Sequence, residues 1–227
     1  MITNKLTKRM KEIVNLVTGN RVADIGCDHG KIVNYLLVSG KIDYAICSDI
    51  SLPSVTKAKD LLILNNVDNS KFSIRCGDGL NTVLESDNID TAIITGMGGT
   101  EIIKILSNSK ILPFCLILSP QKKEIEVKKK ILNLGYEIIY DKIIFDDKFY
   151  TIIKAVKSGI NQTLSDLDLH FGKDSFKNNE DFSRYLSYME KKYMPLVART
   201  SGTNRQNILN MLQLINLAKQ KLEKIYE

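Results

Sequence analysis

The chain alternates short, almost wholly apolar runs with longer amphipathic stretches. Residues 5 to 17 place Leu6, Met10, Ile13, Val14 and Val17 at helical spacing, with Lys5, Lys8, Arg9 and Lys11 on the other sides, which predicts an amphipathic helix. The rhythm then changes. RVADI (21 to 25), YAICSD (44 to 49), FSIRC (72 to 76), DTAIIT (90 to 95) and FCLILS (114 to 119) are apolar, mostly β-branched or aromatic-rich runs. Each is followed by a helix-length segment or a glycine-containing turn. Strands buried on both faces by crossover helices read as continuously apolar, so this alternation predicts a parallel α/β sheet.

After the fifth run, Ile125, Val127, Ile131, Leu132 and Leu134 supply a helical face that Gly135 stops. Residues 136 to 157 form two strand-like runs joined by DDK (146 to 148), a hairpin signal, so the sheet should end in an antiparallel pair. From about Ser158 strand signals cease, and KSGINQTLSD (157 to 166) reads as a linker. Two helical segments follow. Phe182, Leu186, Met189, Tyr193 and Leu196 mark the first; Ile208, Met211, Ile215, Ala218, Leu222 and Ile225 hold a heptad seam in the second. Pro195 disfavours helix at Met194, and ARTSGTNR (198 to 205) reads as the turn of an antiparallel helical hairpin with Arg199 and Arg205 at its exposed tip. The expected division is therefore an α/β domain over 1–157 and a helical, coiled-coil-like domain over 158–227. The seam is read as closing an internal hairpin and not a dimer, which makes the protein a monomer.

Composition narrows the class. With 44% hydrophobic and 26% charged residues in 227, the chain reads as an ordinary globular protein. No apolar run approaches the roughly 18 residues needed to span a bilayer, and the first residues alternate charge with apolar side chains instead of building a signal-peptide core. A cytoplasmic protein without membrane contact is expected. Cys27, Cys47, Cys76 and Cys115 lie far apart, make no C-x-x-C pair, and read as small buried apolar residues. With His29 and His170 the only histidines, there is no convincing metal-ligand set. The formal net charge of +6 favours a polyanionic partner, although a bias toward lysine yields the same balance.

In a parallel sheet, ligands bind beyond the carboxyl ends of the strands, so the residues after each run share one surface. Strand one supplies Asp24, Ile25, Gly26, Asp28, His29 and Gly30; strand two ends at Asp49 and Ile50; strand three opens into Gly77, Asp78 and Gly79; strand four opens into Gly96, Met97, Gly98 and Gly99. A glycine-rich turn lets a cofactor approach the backbone, and an acid some 20 residues later suits a ribose hydroxyl pair. Asp49, 23 residues after Gly26, fits that role, with a helix cap as its plainer alternative. The middle glycine of a G-x-G-x-x-G is replaced by Asp28, whose carboxylate would repel a pyrophosphate. S-adenosylmethionine has no phosphate, and its sulfonium and ammonium groups favour a nearby Asp24 or Asp28. Asp78 and its neighbouring amides are placed to meet the adenine edge.

These segments carry a resemblance. LTKRMKEIV, VADIGCDHG, CGDGL, ITGMGGTEI and DKFYTIIKA, in this order and spacing, resemble the bacterial tRNA adenine-22 N1-methyltransferase family. The resemblance spans essentially the whole chain and is strongest over residues 5 to 155. It implies a Rossmann-like class I methyltransferase sheet with an antiparallel terminal hairpin and a helical C-terminal domain. It also implies S-adenosyl-L-methionine as cofactor, tRNA as partner and methylation of N1 of adenine 22. By the same resemblance Asp24, Gly26, Asp49 and Asp78 would bind the cofactor, and Ile25, Ile50, Gly77, Gly79 and Gly96 beside them are further cofactor-binding candidates. Gly96, Met97, Gly98 and Gly99 would replace the N-P-P-Y loop that positions the amino nitrogen in many other adenine methyltransferases. Two places depart from the family pattern: Lys31 and Val33 stand where an aromatic and a proline are common, and Ser119, Pro120 and Gln121 stand in place of Q-P-N.

Adenine N1 already carries a lone pair, so the reaction needs placement more than a strong base. Asp28, His29 and the loop of Gly96, Met97 and Gly98 are the catalytic candidates, with a structural loop histidine as the alternative for His29. Lys8, Arg9, Arg199 and Arg205 are the candidates for gripping phosphate, against the alternative of solvated surface charge. Rival functions are a nicotinamide-dependent oxidoreductase, an RNA-binding protein without catalysis, and a methyltransferase acting on another RNA or a small molecule.

Overall fold

The computed structural model describes residues 6–177 and 180–226, which leaves Lys5 of the first expected helix outside. The first helix, α1 (Lys8–Leu16), starts where the Thr7 side chain accepts the Met10 amide, and it buries Ile13 and Val14. There follow β1 (Arg21–Ile25), α2 (Lys31–Val38), β2 (Tyr44–Asp49), α3 (Leu52–Leu64), β3 (Phe72–Cys76), β4 (Thr91–Thr95), α4 (Gly99–Asn108), β5 (Cys115–Ser119) and α5 (Glu124–Asn133). The long strands β6 (Tyr136–Asp146) and β7 (Lys148–Lys157) turn at Asp147, whose φ of 66° is left-handed. Asp tolerates that backbone better than most residues. The last helices are α6 (Asp166–Phe171), α7 (Glu180–Tyr193) and α8 (Gly202–Tyr226).

The seven strands form one sheet in the order β3-β2-β1-β4-β5-β7-β6. β1 to β5 are parallel, and β7 runs antiparallel to both β5 and β6. Alternate side chains serve opposite faces: Val22, Cys47 and Ile93 pack with α1, α2 and α3, whereas Ala23, Ile25, Ile46, Ile94 and Leu116 pack with α4 and α5. Each fully buried Ile or Leu contributes about 1.5–3 kcal/mol, so both helical layers are firmly held to the sheet. The order reverses at β1 and β4, and the gap beyond their carboxyl ends is where a ligand space opens.

Residues 158–165 carry no helix or strand, as expected of a linker, but the stretch between β7 and α7 holds two elements that were not expected. It contains α6 and a 3-10 turn at Lys173–Phe176, and its side chains cover the outer edge of β6. Gln162 accepts the Ile138 amide at 2.7 Å and donates to the Ile138 carbonyl at 3.1 Å. Asp174 accepts the Asp141 amide at 2.9 Å and the Ser175 hydroxyl accepts the Ile143 amide at 2.8 Å. Polar side chains that read as loop thus satisfy an edge that would otherwise invite another strand. Beneath them lies a buried ion pair, Lys128 to Asp141 at 2.6 Å, with the Lys128 ammonium also donating to the carbonyls of Asp168 and Leu169.

Beyond this edge, Ile143 joins Phe171, Phe176, Phe182, Leu186, Ile215, Ala218 and Leu222 in a third apolar cluster that fixes α7 and α8 to the hairpin. Helix α7 stops at Tyr193, as Pro195 requires, and the chain continues through a 3-10 stretch, Met194–Arg199. The turn is shorter than expected, because α8 already begins at Gly202 and Arg205 lies in its first turn. A further correction concerns cysteine: Cys27, Cys47 and Cys115 are buried, but Cys76 is exposed, since β3 is an edge strand.

Candidate active site

The loop after β1 folds over the tip of β2. The Gly26 and Cys27 amides both donate to the Ser48 carbonyl, at 2.8 and 3.1 Å, and the Gly30 amide donates to Cys27 at 2.8 Å just before α2 begins. Asp49 ends β2 and organises both flanking loops: Oδ1 accepts the Ser51 amide at 2.9 Å and Oδ2 accepts the Asp28 amide at 3.3 Å. It is not the cap of α3, because Ser51 holds that position and accepts the Ser54 amide. Each carboxylate oxygen of Asp49 retains a second lone pair for a ligand hydroxyl. Next to it, the Gly77 amide donates to the Asp49 carbonyl at 3.0 Å. Asp78 stands at the start of a 3-10 turn without capping it, and among the described residues no hydrogen bond or ion pair engages its exposed carboxylate.

The third loop, Gly96 to Gly99, is clamped against the segment after β5. The Gln121 amide donates to the Met97 carbonyl at 3.0 Å, the Gly99 amide to the Lys122 carbonyl at 3.0 Å, and the Gln121 side-chain Nε2 to the Gly96 carbonyl at 2.8 Å. Two glycines here are required for different reasons. Gly96 has φ of 82°, a left-handed backbone, and nothing within 4 Å of where a Cβ would stand, so it opens onto empty space. A Cβ on Gly99 would stand 2.4 Å from the Lys122 carbonyl oxygen, so only glycine permits the approach.

Two adjoining cavities occupy the strand ends. One, of about 270 Å³, is lined by Ile25, Gly26, Asp49, Ile50, Gly77, Asp78 and Gly79, with Thr95, Gly96 and Met97 along its floor. Ile50 is 77% exposed there, an apolar side chain held in the open where a planar ring can cover it. The other, of about 360 Å³, is lined by Arg9, Asp24, Asp28, His29, Lys31, Gln121 and Tyr150. Gly26, Thr95 and Gly96 belong to both, so a ligand in one reaches a ligand in the other across that junction.

Asp24 decides the electrostatics of the junction. Its side chain is buried, and among the described residues no hydrogen bond or ion pair reaches its carboxylate. Burial, and then the neighbouring charges of Asp49 and Asp28, push its pKa from 3.8 up to about 7. A cation placed beside it would supply the missing counter-charge; a phosphate would meet three carboxylates. Among the described residues, no group of three or more His, Cys, Asp or Glu side chains could hold a metal ion.

Most of the sequence-derived candidates for cofactor and chemistry converge on these cavities, but not all candidates do so. Gly98 lines neither cavity, and the Met97 methyl lies over Gly26, 2.6 Å from where a Cβ would stand, as a wall between loops. His29 Nε2 lies 3.6 Å from Asp28 Oδ1, beyond hydrogen-bonding distance, with both side chains open to solvent. Arg9 lies in the wall of the larger cavity, its guanidinium 4.5 Å from the Tyr150 ring centre. Lys8 is engaged in an ion pair with Asp181, tying α1 to α7. Arg199 and Arg205 are exposed at the turn of the helical hairpin and line neither cavity. Sequence reasoning missed Tyr150 and Gln121. Tyr150 enters from β7, which runs against the parallel strands, so a rule about strand carboxyl ends cannot find it; Gln121, two residues past β5, satisfies that rule.

A model of the methyltransferase-domain family matches residues 6–153. The chain belongs to that family. Within it, the methyltransferase is 31% identical over 156 residues to the tRNA (adenine(22)-N(1))-methyltransferase of Bacillus subtilis, covering 66% of this chain and 65% of that one. Among solved structures it matches a protein of the NADB-Rossmann superfamily from Streptococcus agalactiae with a TM-score of 0.84 at 26% identity, covering 96% of this chain and 97% of that one. It shares its fold with M. capricolum TrmK, solved with S-adenosyl-homocysteine, at a TM-score of 0.80 and 24% identity, covering 96% and 98% of the two chains.

Proposed function

We propose that this methyltransferase transfers a methyl group from S-adenosylmethionine to N1 of adenine 22 in tRNA, in the cytoplasm. The observation that carries the reading is the junction at Gly26 and Gly96, where the buried Asp24 carboxylate lacks a counter-charge between two ligand-sized cavities. The identity to the Bacillus subtilis enzyme supports the choice of substrate. The residues fit the methyl donor: Asp49 for the ribose hydroxyls, Asp78 and Ile50 for the adenine ring, and Asp24 for the cationic methionine end. When bound, that donor supplies an electrophilic methyl on a sulfonium.

The chain's own part is placement and charge. The target adenine enters the larger cavity, out of its stack at a cost of about a few kcal/mol, because N1 lies on the pairing edge. The clamped Gly96 loop fixes its distance from the junction, and such positioning is worth about 7–11 kcal/mol in the best intramolecular models. The ring becomes cationic as the bond forms, and the Asp28 carboxylate at the cavity wall favours that charge. No proton need be removed from N1. Residues 1–157 hold the donor and the base, while the helical residues 158–227 grip tRNA phosphates through Arg199 and Arg205. The test is incubation with labelled S-adenosylmethionine and unmodified tRNA transcripts. Label should enter the transcript bearing adenine 22 and be lost when that adenine is guanine; equal labelling of both would refute the assignment.

A further inference from the structure

Gln121 is held in an unusual way for an exposed amide. Its backbone N–H donates to the Met97 carbonyl at 3.0 Å and its side-chain Nε2 donates to the Gly96 carbonyl at 2.8 Å. A carbonyl can only accept, so the nitrogen must face Gly96 and the amide cannot be turned over. With one Nε2 hydrogen committed to Gly96, the side-chain oxygen is the acceptor that Gln121 brings to the larger cavity it lines, the second Nε2 hydrogen staying a donor beside it, and no donor among the described residues reaches the oxygen. The cavity thus carries a neutral, oriented acceptor fixed to the same loop that sets the distance to the junction.

We propose that the Gln121 side-chain oxygen selects a 6-aminopurine, accepting a hydrogen bond from the exocyclic amine of the target adenine. This deepens the function proposed above and rests on it. A 6-oxopurine would set its own carbonyl oxygen against that of Gln121, two acceptors facing each other with no proton between them. The bond is also differential. Methylation at N1 makes the ring cationic and its amino protons stronger donors, so the same contact tightens as the reaction proceeds and raises kcat as well as affinity.

The test uses two ligated tRNA substrates that differ only at position 22, one with adenine and one with unsubstituted purine, which keeps the N1 lone pair but has no amine. Purine is intrinsically the weaker nucleophile, so the readout is the change in the adenine-to-purine ratio of kcat/KM between wild type and variant. In Gln121→Ala that ratio should fall about tenfold, the worth of one such hydrogen bond. Gln121→Lys, which keeps a donor for the Gly96 carbonyl but has no acceptor, should lose the preference equally. S-adenosylmethionine affinity by calorimetry should stay unchanged in Gln121→Lys, which keeps the Gly96 carbonyl held. A variant that slows both substrates by the same factor would overturn the inference and leave Gln121 a loop clamp. Failure of wild type to methylate the adenine substrate would overturn the proposed function, and this inference with it.

Discussion

Replacing Asp24 by Asn removes the charge on which the proposed methyl-donor site rests and leaves the shape of the strand end. In the wild type the carboxyl titrates at about 7 instead of 3.8 because burial and the Asp49 and Asp28 charges disfavour ionisation. At 1.36 kcal/mol per tenfold step, this disfavours the ionised form by about 4 kcal/mol. The sign follows. Between pH 4 and 7 the folded state binds a proton that the unfolded state has lost, so stability falls as pH rises through that window. Asp24→Asn should therefore stabilise the free protein at pH 8, by up to about 4 kcal/mol, and leave it unchanged near pH 4. Ligand binding has the opposite slope. A cation beside Asp24 favours the ionised form, so binding below pH 7 must release a proton, and affinity should rise by up to about tenfold per pH unit until the group is ionised. Calorimetry of S-adenosylmethionine between pH 5.5 and 7.5, in buffers of different ionisation enthalpy, reads both affinity and proton release. Asp24→Asn should bind more weakly at pH 7.5 and show little pH dependence. An unchanged slope in the variant, or no proton release by the wild type, would refute the placement of the cation.

Other consequences are separable. Lys128→Met leaves the buried Asp141 carboxyl without its partner, to be kept either as an unpaired charge or by taking up a proton, and should cost up to about 3–5 kcal/mol in chemical denaturation, whereas replacing both by apolar residues should cost much less. Gly99→Ala drives a Cβ to 2.4 Å from the Lys122 carbonyl and should displace the Gly96 loop, lowering kcat by about a hundredfold and also weakening S-adenosylmethionine, whose cavity that loop lines. The double variant Arg199→Ala/Arg205→Ala should weaken tRNA binding and reduce the slope of log affinity against log salt by about 1.4 to 1.8; an unchanged slope would remove these arginines from the phosphate grip.

The parallel strands were legible because burial on both faces leaves an unmistakable apolar run: β1, β2 and β3 begin and end where the runs do. Strand ends also pointed to Asp24, Asp49 and Asp78, since topology alone brings those positions to one edge. What the sequence hid was side-chain commitment. Lys8 and Arg9 are adjacent basic residues with no local difference, yet one meets Asp181, 173 residues away, and the other stacks on Tyr150 in the cavity wall. The edge cover of β6 was hidden for a similar reason, because Gln162, Asp174 and Ser175 make their bonds to backbone that is distant in sequence. Gln121 was named only as a departure from a pattern; its fixed orientation depends on a carbonyl 25 residues earlier in the chain.

The most direct measurement is the identity of the methylated nucleoside. Unmodified tRNA incubated with the protein and S-adenosylmethionine, digested to nucleosides and resolved by mass spectrometry against standards, should contain 1-methyladenosine at up to one per molecule. Methylation at N6, methylation of another base, or no methylated nucleoside at all would contradict a cleft that aims adenine N1 at the Gly26–Gly96 junction.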